Sequence, residues 1–178
     1  MDFDVHEEIA IAVSKLKEYH LYPEGKILFD FYVLPSHNHQ TYFSTLSELG
    51  DGCLLTFVKP LVYDVRFPGE PMRMLSFSDC KRAEALSENC GQFHMGQKRI
   101  SEDFAASLSR IKKILPEKYE EGNLVIDGVL QTVRIWEKGA VVKEVVYTDA
   151  RRIPCIKEDK ESVARLDHLY LEMEELIS

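Results

Sequence analysis

The sequence predicts an α+β fold: a mostly antiparallel sheet with a C-terminal β-meander, packed against flanking helices in a single domain spanning residues 1–178. Three features carry this expectation. Residues 123–148 contain two Gly-centred turns, Asp127-Gly128 and Lys138-Gly139, between apolar segments whose Val129, Val133, Ile135, Trp136, Val141, Val145 and Tyr147 favour strands. Ile27, Phe29, Phe31 and Val33 alternate with Leu28, Asp30, Tyr32 and Leu34, which is the two-residue period of a strand. Helical periodicity marks both ends of the chain and the stretch after Ser101.

In chain order, residues 4–20 read as a helix with Val5, Ile9, Val13 and Leu16 on one face and Asp4 with Glu7 as a capping pair. Pro23, Glu24 and Gly25 break it, and the strand 27–34 follows, ended by Pro35. Residues 36–40 are polar and read as a loop, and residues 41–49 as a short helix stopped by Gly50. Residues 53–58 and 61–67 read as strands around Lys59-Pro60, with 67–71 as a Pro/Gly turn. A brief helix is expected over 79–87, then an irregular segment over 89–97 where a site could be housed. Ser101 caps a helix whose Phe104, Leu108, Ile111 and Leu115 fall on one face, closed by Pro116. After the meander, residues 157–177 form a last helix, with Val163, Leu166, Tyr170, Met173 and Ile177 along its apolar face and Leu169 and Leu176 widening it.

Composition narrows the class. The chain has 178 residues, 45% of them hydrophobic, enough to bury a core without disulfide or metal staples. Its four cysteines, Cys53, Cys80, Cys90 and Cys155, are scattered and read as reduced thiols. The acidic opening residues lack the basic start of a secretory signal and no apolar run is long enough to span a bilayer, so a cytoplasmic protein without a membrane partner is expected. A formal net charge of −8 argues against nucleic acid, whose binding depends on cations displacing counterions, and favours a basic partner. The excess is spread evenly: residues 1–100 hold 14 acids against 10 bases and residues 101–178 hold 16 against 12, so neither end is a charged tail.

Candidate chemistry is sparse. His37 and His39 sit two apart, and Cys90 and His94 four apart, so these four could converge on zinc, although no C-x-x-C pair announces a site. The competing reading is of surface histidines and a buried thiol. Cys80 or Cys90 could act as a nucleophile only with a spatially adjacent base. Ser78-Asp79-Cys80-Lys81 matches the bare S-x-x-K spacing of penicillin-recognising enzymes without their companion motifs. The similarity of residues 51–56 to 127–132 is that of two turn-then-strand starts, not of a duplication.

Trp136, the single tryptophan, lies beside a hairpin turn and reads as a core cover or a partner anchor. Glu172, Glu174 and Glu175 crowd the C-terminal turns of the last helix, where its dipole already concentrates negative potential. A compensating cation is expected there, either from elsewhere in the chain or from a partner surface.

The order from Ser101 onward, a capped helix, Asp-Gly turn, strand with Arg134-Ile135-Trp136, Lys138-Gly139 turn, strand and acidic final helix, resembles small bacterial α+β proteins, some encoded beside toxins as immunity proteins. The resemblance covers residues 101–178 and transfers no functional residue. The acidic surface and the absence of catalytic motifs lead to the expectation of a non-enzymatic, cytoplasmic protein-binding protein, in the manner of an immunity-type inhibitor of a basic partner, without a cofactor; the residues expected at the contact from their own placement are Glu172, Glu174, Glu175 and Trp136. The alternative expectation is a small metal-dependent or thiol enzyme using His37, His39, Cys90 and His94. Self-association through the last helix is a third.

Overall fold

The computed structural model describes residues 4–34, 41–50, 52–61, 64–65, 73–74, 76–84, 92–121, 128–154 and 159–178. In chain order the elements are helix α1 (Val5–Glu18), strands β1 (Ile27–Leu34), β2 (Tyr42–Leu49), β3 (Gly52–Pro60), β4 (Asp64–Val65) and β5 (Arg73–Met74), helix α2 (Phe77–Glu84), strand β6 (Phe93–Ile100), helix α3 (Glu102–Ile114), strands β7 (Lys118–Glu120), β8 (Leu130–Glu137) and β9 (Ala140–Tyr147), a 3-10 turn (Ala150–Arg152) and helix α4 (Lys160–Ile177). Seven strands form one mixed sheet in the order β6-β3-β2-β1-β8-β9-β7. All its pairs are antiparallel except β7 with β9. The α+β class therefore holds. Because β1 lies between β2 and β8, strands from both halves of the chain share one continuous sheet.

The helices start where short polar side chains satisfy their first amides. Asp4 accepts from the His6 and Glu7 amides, Ser101 from Phe104, and Asp159 from Glu161 and Ser162. Helices α3 and α4 cover one face of the sheet. Leu108, Ile111, Leu166 and Met173 pack there with Phe29, Phe31, Val33 and Val133. On the other face α1 lays Val5, Ile9, Ala12 and Leu16, together with Phe77 of α2, over Tyr32, Phe43 and Val58.

Several expectations change. Residues 41–49 are not a helix but strand β2, bonded to β1 and β3 on its two sides. Tyr42 and Leu46, four apart, mimic a helical face. In the strand they face α3 and α4, while the intervening Phe43 packs with α1. Gly50, at φ 57°, serves the tight turn into β3, with Leu49 paired to Gly52, rather than stopping a helix. The expected irregular stretch over 89–97 is strand from Phe93 onward; residues 89–91 lie outside the described residues. Gly96 reads as a loop signal, yet its role is space: a Cβ there would stand 2.8 Å from the Phe57 ring. Strand β3 runs on through Lys59-Pro60, and Pro60 lies beyond Val58, the last residue paired to β2. Of the strand expected over 61–67, Asp64–Val65 form strand β4, paired with β5, and Leu61 is a bend; residues 62–63 and 66–67 lie outside the described residues. The turn at 67–71 lies outside the described residues.

The Lys138-Gly139 turn joins β8 and β9, with both residues at positive φ (52° and 80°), the pairing a two-residue hairpin requires. The first segment of the expected meander, including Asp127, lies outside the described residues. Strand β8 is flanked by β1 and β9, and β9 by the parallel β7.

Glu8 of α1 is buried and joins α1 to α2. Its Oε2 accepts from the Phe77 amide at 2.6 Å and the Tyr32 hydroxyl at 3.3 Å, and its Oε1 from the Ser78 amide at 3.1 Å and the Ser78 hydroxyl. A side chain from one helix thus satisfies the first amides of another, where negative charge is also favoured by the dipole. Glu8→Ala leaves these donors buried without an acceptor and is expected to cost about 2–4 kcal/mol, read as a lower urea midpoint with faster amide exchange in α2.

Candidate functional site

At the end of the sheet where β3 begins and β8 finishes, a cleft of about 360 Å³ opens between α3 and the strands. Buried Phe29, Leu46, Leu108 and Ile135 line it together with the less buried Leu28, Cys53, Ala105, Lys112 and Trp136. One irregularity shapes it. Strict alternation would place Leu28 on the α1 face with Asp30, but the extra residue in β1 between Ile27 and Phe29 brings it to the cleft, whereas the shift between Ile135 and Trp136 puts its extra residue in β9, at Val142, and leaves the Trp136 indole on the α1 side with Asp30 and Arg134.

Trp136 is held on the α1 side. Its indole N–H donates to Oδ2 of Asp30 at 2.7 Å. The same oxygen accepts from Arg134 Nε at 3.1 Å and Nη2 at 2.5 Å, and the guanidinium lies 5.7 Å from the centroid of the indole ring. Asp30 is only 1% exposed, and its Oδ1 has no hydrogen-bond partner. Thr45, paired with Asp30 from β2, favours the charged carboxyl weakly. Burial pushes the Asp30 pKa above its ordinary value, and the opposing pull of Arg134 and the Trp136 N–H does not reverse this.

These groups belong to a polar row crossing six strands beneath the α1 side. Successive cross-strand pairs are Gln97 with Thr56, Thr56 with Thr45, Thr45 with Asp30, Asp30 with Arg134, and Arg134 with Glu144. Gln97 closes one end, its Nε2 donating to the Thr56 hydroxyl at 3.3 Å and to the Leu21 carbonyl at 3.2 Å. At the other, Glu144 lies 3.5 Å from His6. A lone Asp inside the otherwise apolar strand Ile27–Leu34 was the sequence signal for this network, because a buried carboxylate requires donors.

The glutamates of α4 lie at the opposite end of the strands. Lys59, near the end of β3, reaches the last turn of α4 and donates Nζ to the Ile177 carbonyl at 2.9 Å. Burial lowers its pKa. This is the cation that the acidic helix end calls for, and it comes from the same chain. Glu174 accepts from the Tyr170 hydroxyl at 2.6 Å, Glu172 pairs with His168 at 3.3 Å, and Glu175 is exposed. Lys59 lies six positions along β3 from Cys53 at the cleft, roughly 20 Å of strand, so Trp136 and the three glutamates do not form one patch. The apolar face of α4, considered for self-association, is covered by the protein's own core: Leu166, Leu169, Met173 and Ile177 are buried.

Of the four metal candidates, His37, His39 and Cys90 lie outside the described residues. His94 is on β6, paired in register with Lys59, its ring edge-on to Phe57 at 5.4 Å. Among the described residues no group of three or more His, Cys, Asp or Glu side chains could hold a metal ion. Among them, too, no helix is long and apolar enough to cross a membrane. Ser78 of the S-x-x-K match donates to Glu8 and has a structural role, while Cys80 is buried.

Comparison with protein-family models, curated proteins and solved structures finds no match to this chain. Its own geometry must carry the functional reading.

Because burial makes folded Asp30 hold its proton more tightly than the unfolded chain does, the folded state binds more protons across the carboxyl range, and this contribution to stability falls as pH rises through it. Urea titrations from acidic to neutral pH should therefore show the wild type losing stability relative to Asp30→Asn, with the difference levelling off above the raised pKa. The opposite slope would mean that Arg134 and Trp136 outweigh burial. Separately, Lys59→Met should cost about 1 kcal/mol and speed amide exchange at Ile177 and Ser178.

Proposed function

We infer that this protein binds a basic partner protein and inhibits it in the manner of a toxin-immunity protein, acting in the cytoplasm through the outer side of the C-terminal half of α4. The observation that carries this reading is the exposure of Glu175 on the last turns of α4, in a chain of net charge −8. The Lys59 bond to the Ile177 carbonyl answers the helix end from inside, so a partner would be recognised through the outward carboxylates and not called for by the dipole. Glu175 is exposed, and Glu172 has a histidine rather than a lysine or arginine beside it. The net charge of −8 supports the same reading, since long-range attraction accelerates encounter with a basic protein and is screened by salt.

The experiment pairs the protein with the products of the reading frames adjacent to its gene, among which a basic, growth-arresting protein is expected. Co-expression should restore growth that the neighbour arrests, and purified partners should associate more slowly as salt rises. The double variant Glu172→Gln/Glu175→Gln should bind about tenfold more weakly, with a flatter salt dependence. Absence of binding, or unchanged affinity and salt dependence in the double variant, overturns the reading.

A further inference from the structure

We propose that the outer edge of β6 pairs with the same edge of a second copy of this chain, antiparallel and about a two-fold axis at Gly96, so that one sheet runs through a homodimer. This does not rest on the inhibitor reading. Strand β6 is the outermost strand beyond β3. It keeps an unbroken register over its eight residues, without the bulge or proline that blunts exposed edges.

The ladder fixes which groups point outward, because bonded and non-bonded pairs alternate along antiparallel strands. The Leu61 amide donates to the Gln92 carbonyl at 2.8 Å, one step beyond the pair Pro60 with Phe93. The bonded pairs that follow are therefore Lys59 with His94, Phe57 with Gly96, and Leu55 with Lys98. Pro60, which has no N–H, falls at a position that needs none toward β6. Phe93, Met95, Gln97 and Arg99 thus direct their main-chain N–H and C=O away from β3. Among the described residues, none bonds to those groups of Phe93, Met95 or Gln97. The Phe93 ring is stacked on Phe77 at 6.0 Å with Lys15 5.4 Å from its centroid, and the Gln97 side chain is tied to Leu21 and Thr56, so the edge is ordered before it pairs.

A second copy fits this edge in both hydrogen bonding and charge. With Gly96 on the axis, Phe93 faces Arg99 of the other copy and Met95 faces Gln97, so all four outward residues meet outward residues. A register displaced by two residues either way leaves one of them unmatched on each copy. Gly96 is kept small by the Phe57 ring, 2.8 Å from where its Cβ would stand, and two glycines suit the close approach at the axis. Exposed Lys98 and Arg99 lie together at one end of β6, and the two-fold sends the two sets to opposite ends. There Lys98 faces His94 and Arg99 faces the Phe93 ring, and no two lysines or arginines oppose each other. Two bodies of charge −8 repel at long range, so this association strengthens as salt rises, the reverse of binding to a basic partner.

The test mixes two single variants of the full chain, His94→Cys and Lys98→Cys, both at exposed positions, under a mild thiol oxidant. Across the axis these positions form a non-bonded pair with Cα atoms about 4.5 Å apart, within reach of a disulfide. Position 94 of one copy lies about 13 Å from position 94 of the other, and position 98 likewise. Expected is a crosslinked dimer whose linked peptides map to 94 and 98, with about tenfold less crosslinking in either variant alone. Light scattering on the wild type should show the mass rising from 20.5 kDa toward twice that value over about 10–1,000 μM, because a single strand pair is a small, weak interface. Amide exchange at Met95 and Gln97 should slow severalfold with concentration, while Gly96, already bonded within the chain, should not change. A mass constant at 20.5 kDa, crosslinking no greater in the mixture than in either variant alone, or a dimer whose Met95 and Gln97 amides exchange as in the monomer would each overturn the proposal.

Discussion

A buried carboxylate at the seam between the two halves of the chain constrains the rest of the structure. Asp30 sits on the central strand β1, and its partners Arg134 and Trp136 come from β8, more than a hundred residues later. Removing such a charge from water is expensive, and a buried ion pair need not stabilise a fold relative to apolar residues of similar volume. Its physical consequence here is specificity. A one-residue slip of β1 would turn Asp30 into the apolar layer under α3 and α4, away from its donors, and turn Phe29 and Phe31 out of that layer. The register of β1 against β8, and with it the union of the two halves, is strongly specified by one acid.

The same device recurs. Glu8 reaches from α1 to the first amides of α2, and Glu121 accepts from the Thr148 amide at 2.6 Å and the Thr148 hydroxyl at 2.7 Å and pairs with Arg152 at the corner after β9. Burial raises the Glu121 pKa, but the donors from Thr148 and Arg152 prevail and it lies below its ordinary value. Three buried acids thus fasten elements that short-range preferences would leave independent. Not all of the acidic composition therefore faces a partner: Glu8, Asp30, Asp79 and Glu121 are buried, and only the remainder can shape the outer field.

The two faces of the sheet differ in consequence. Under α3 and α4 the layer is predominantly apolar and ends in an open cleft, whereas the α1 side carries the row from Gln97 to Glu144. Trp136 belongs to the polar side, with its N–H on Asp30 and its ring by Arg134.

Much of the local structure was legible because its causes are local. Asp4, Ser101 and the Lys138-Gly139 pair act on amides or dihedrals within a few residues, and the α3 periodicity concerns a single helix face. Residues 41–49 misled because Tyr42 and Leu46 satisfy a helical spacing as well as a strand one, and only the hydrogen bonds of β1 and β3 decide between them. Gly96 misled because its purpose is the Phe57 ring on a neighbouring strand. Trp136 and the C-terminal glutamates were recognised as unusual residues, but not their separation or the Lys59 that answers the helix end.

The sequence by itself determined α1, α3 and α4, their caps, the Lys138-Gly139 turn and the α+β class, since each follows from periodicity and backbone preference over a few neighbours. Tertiary structure alone decided strand order, the polar row, the cleft and the inward cation, because these depend on side chains far apart in the chain meeting across strands, where burial turns an ordinary acid or lysine into an obligatory partner.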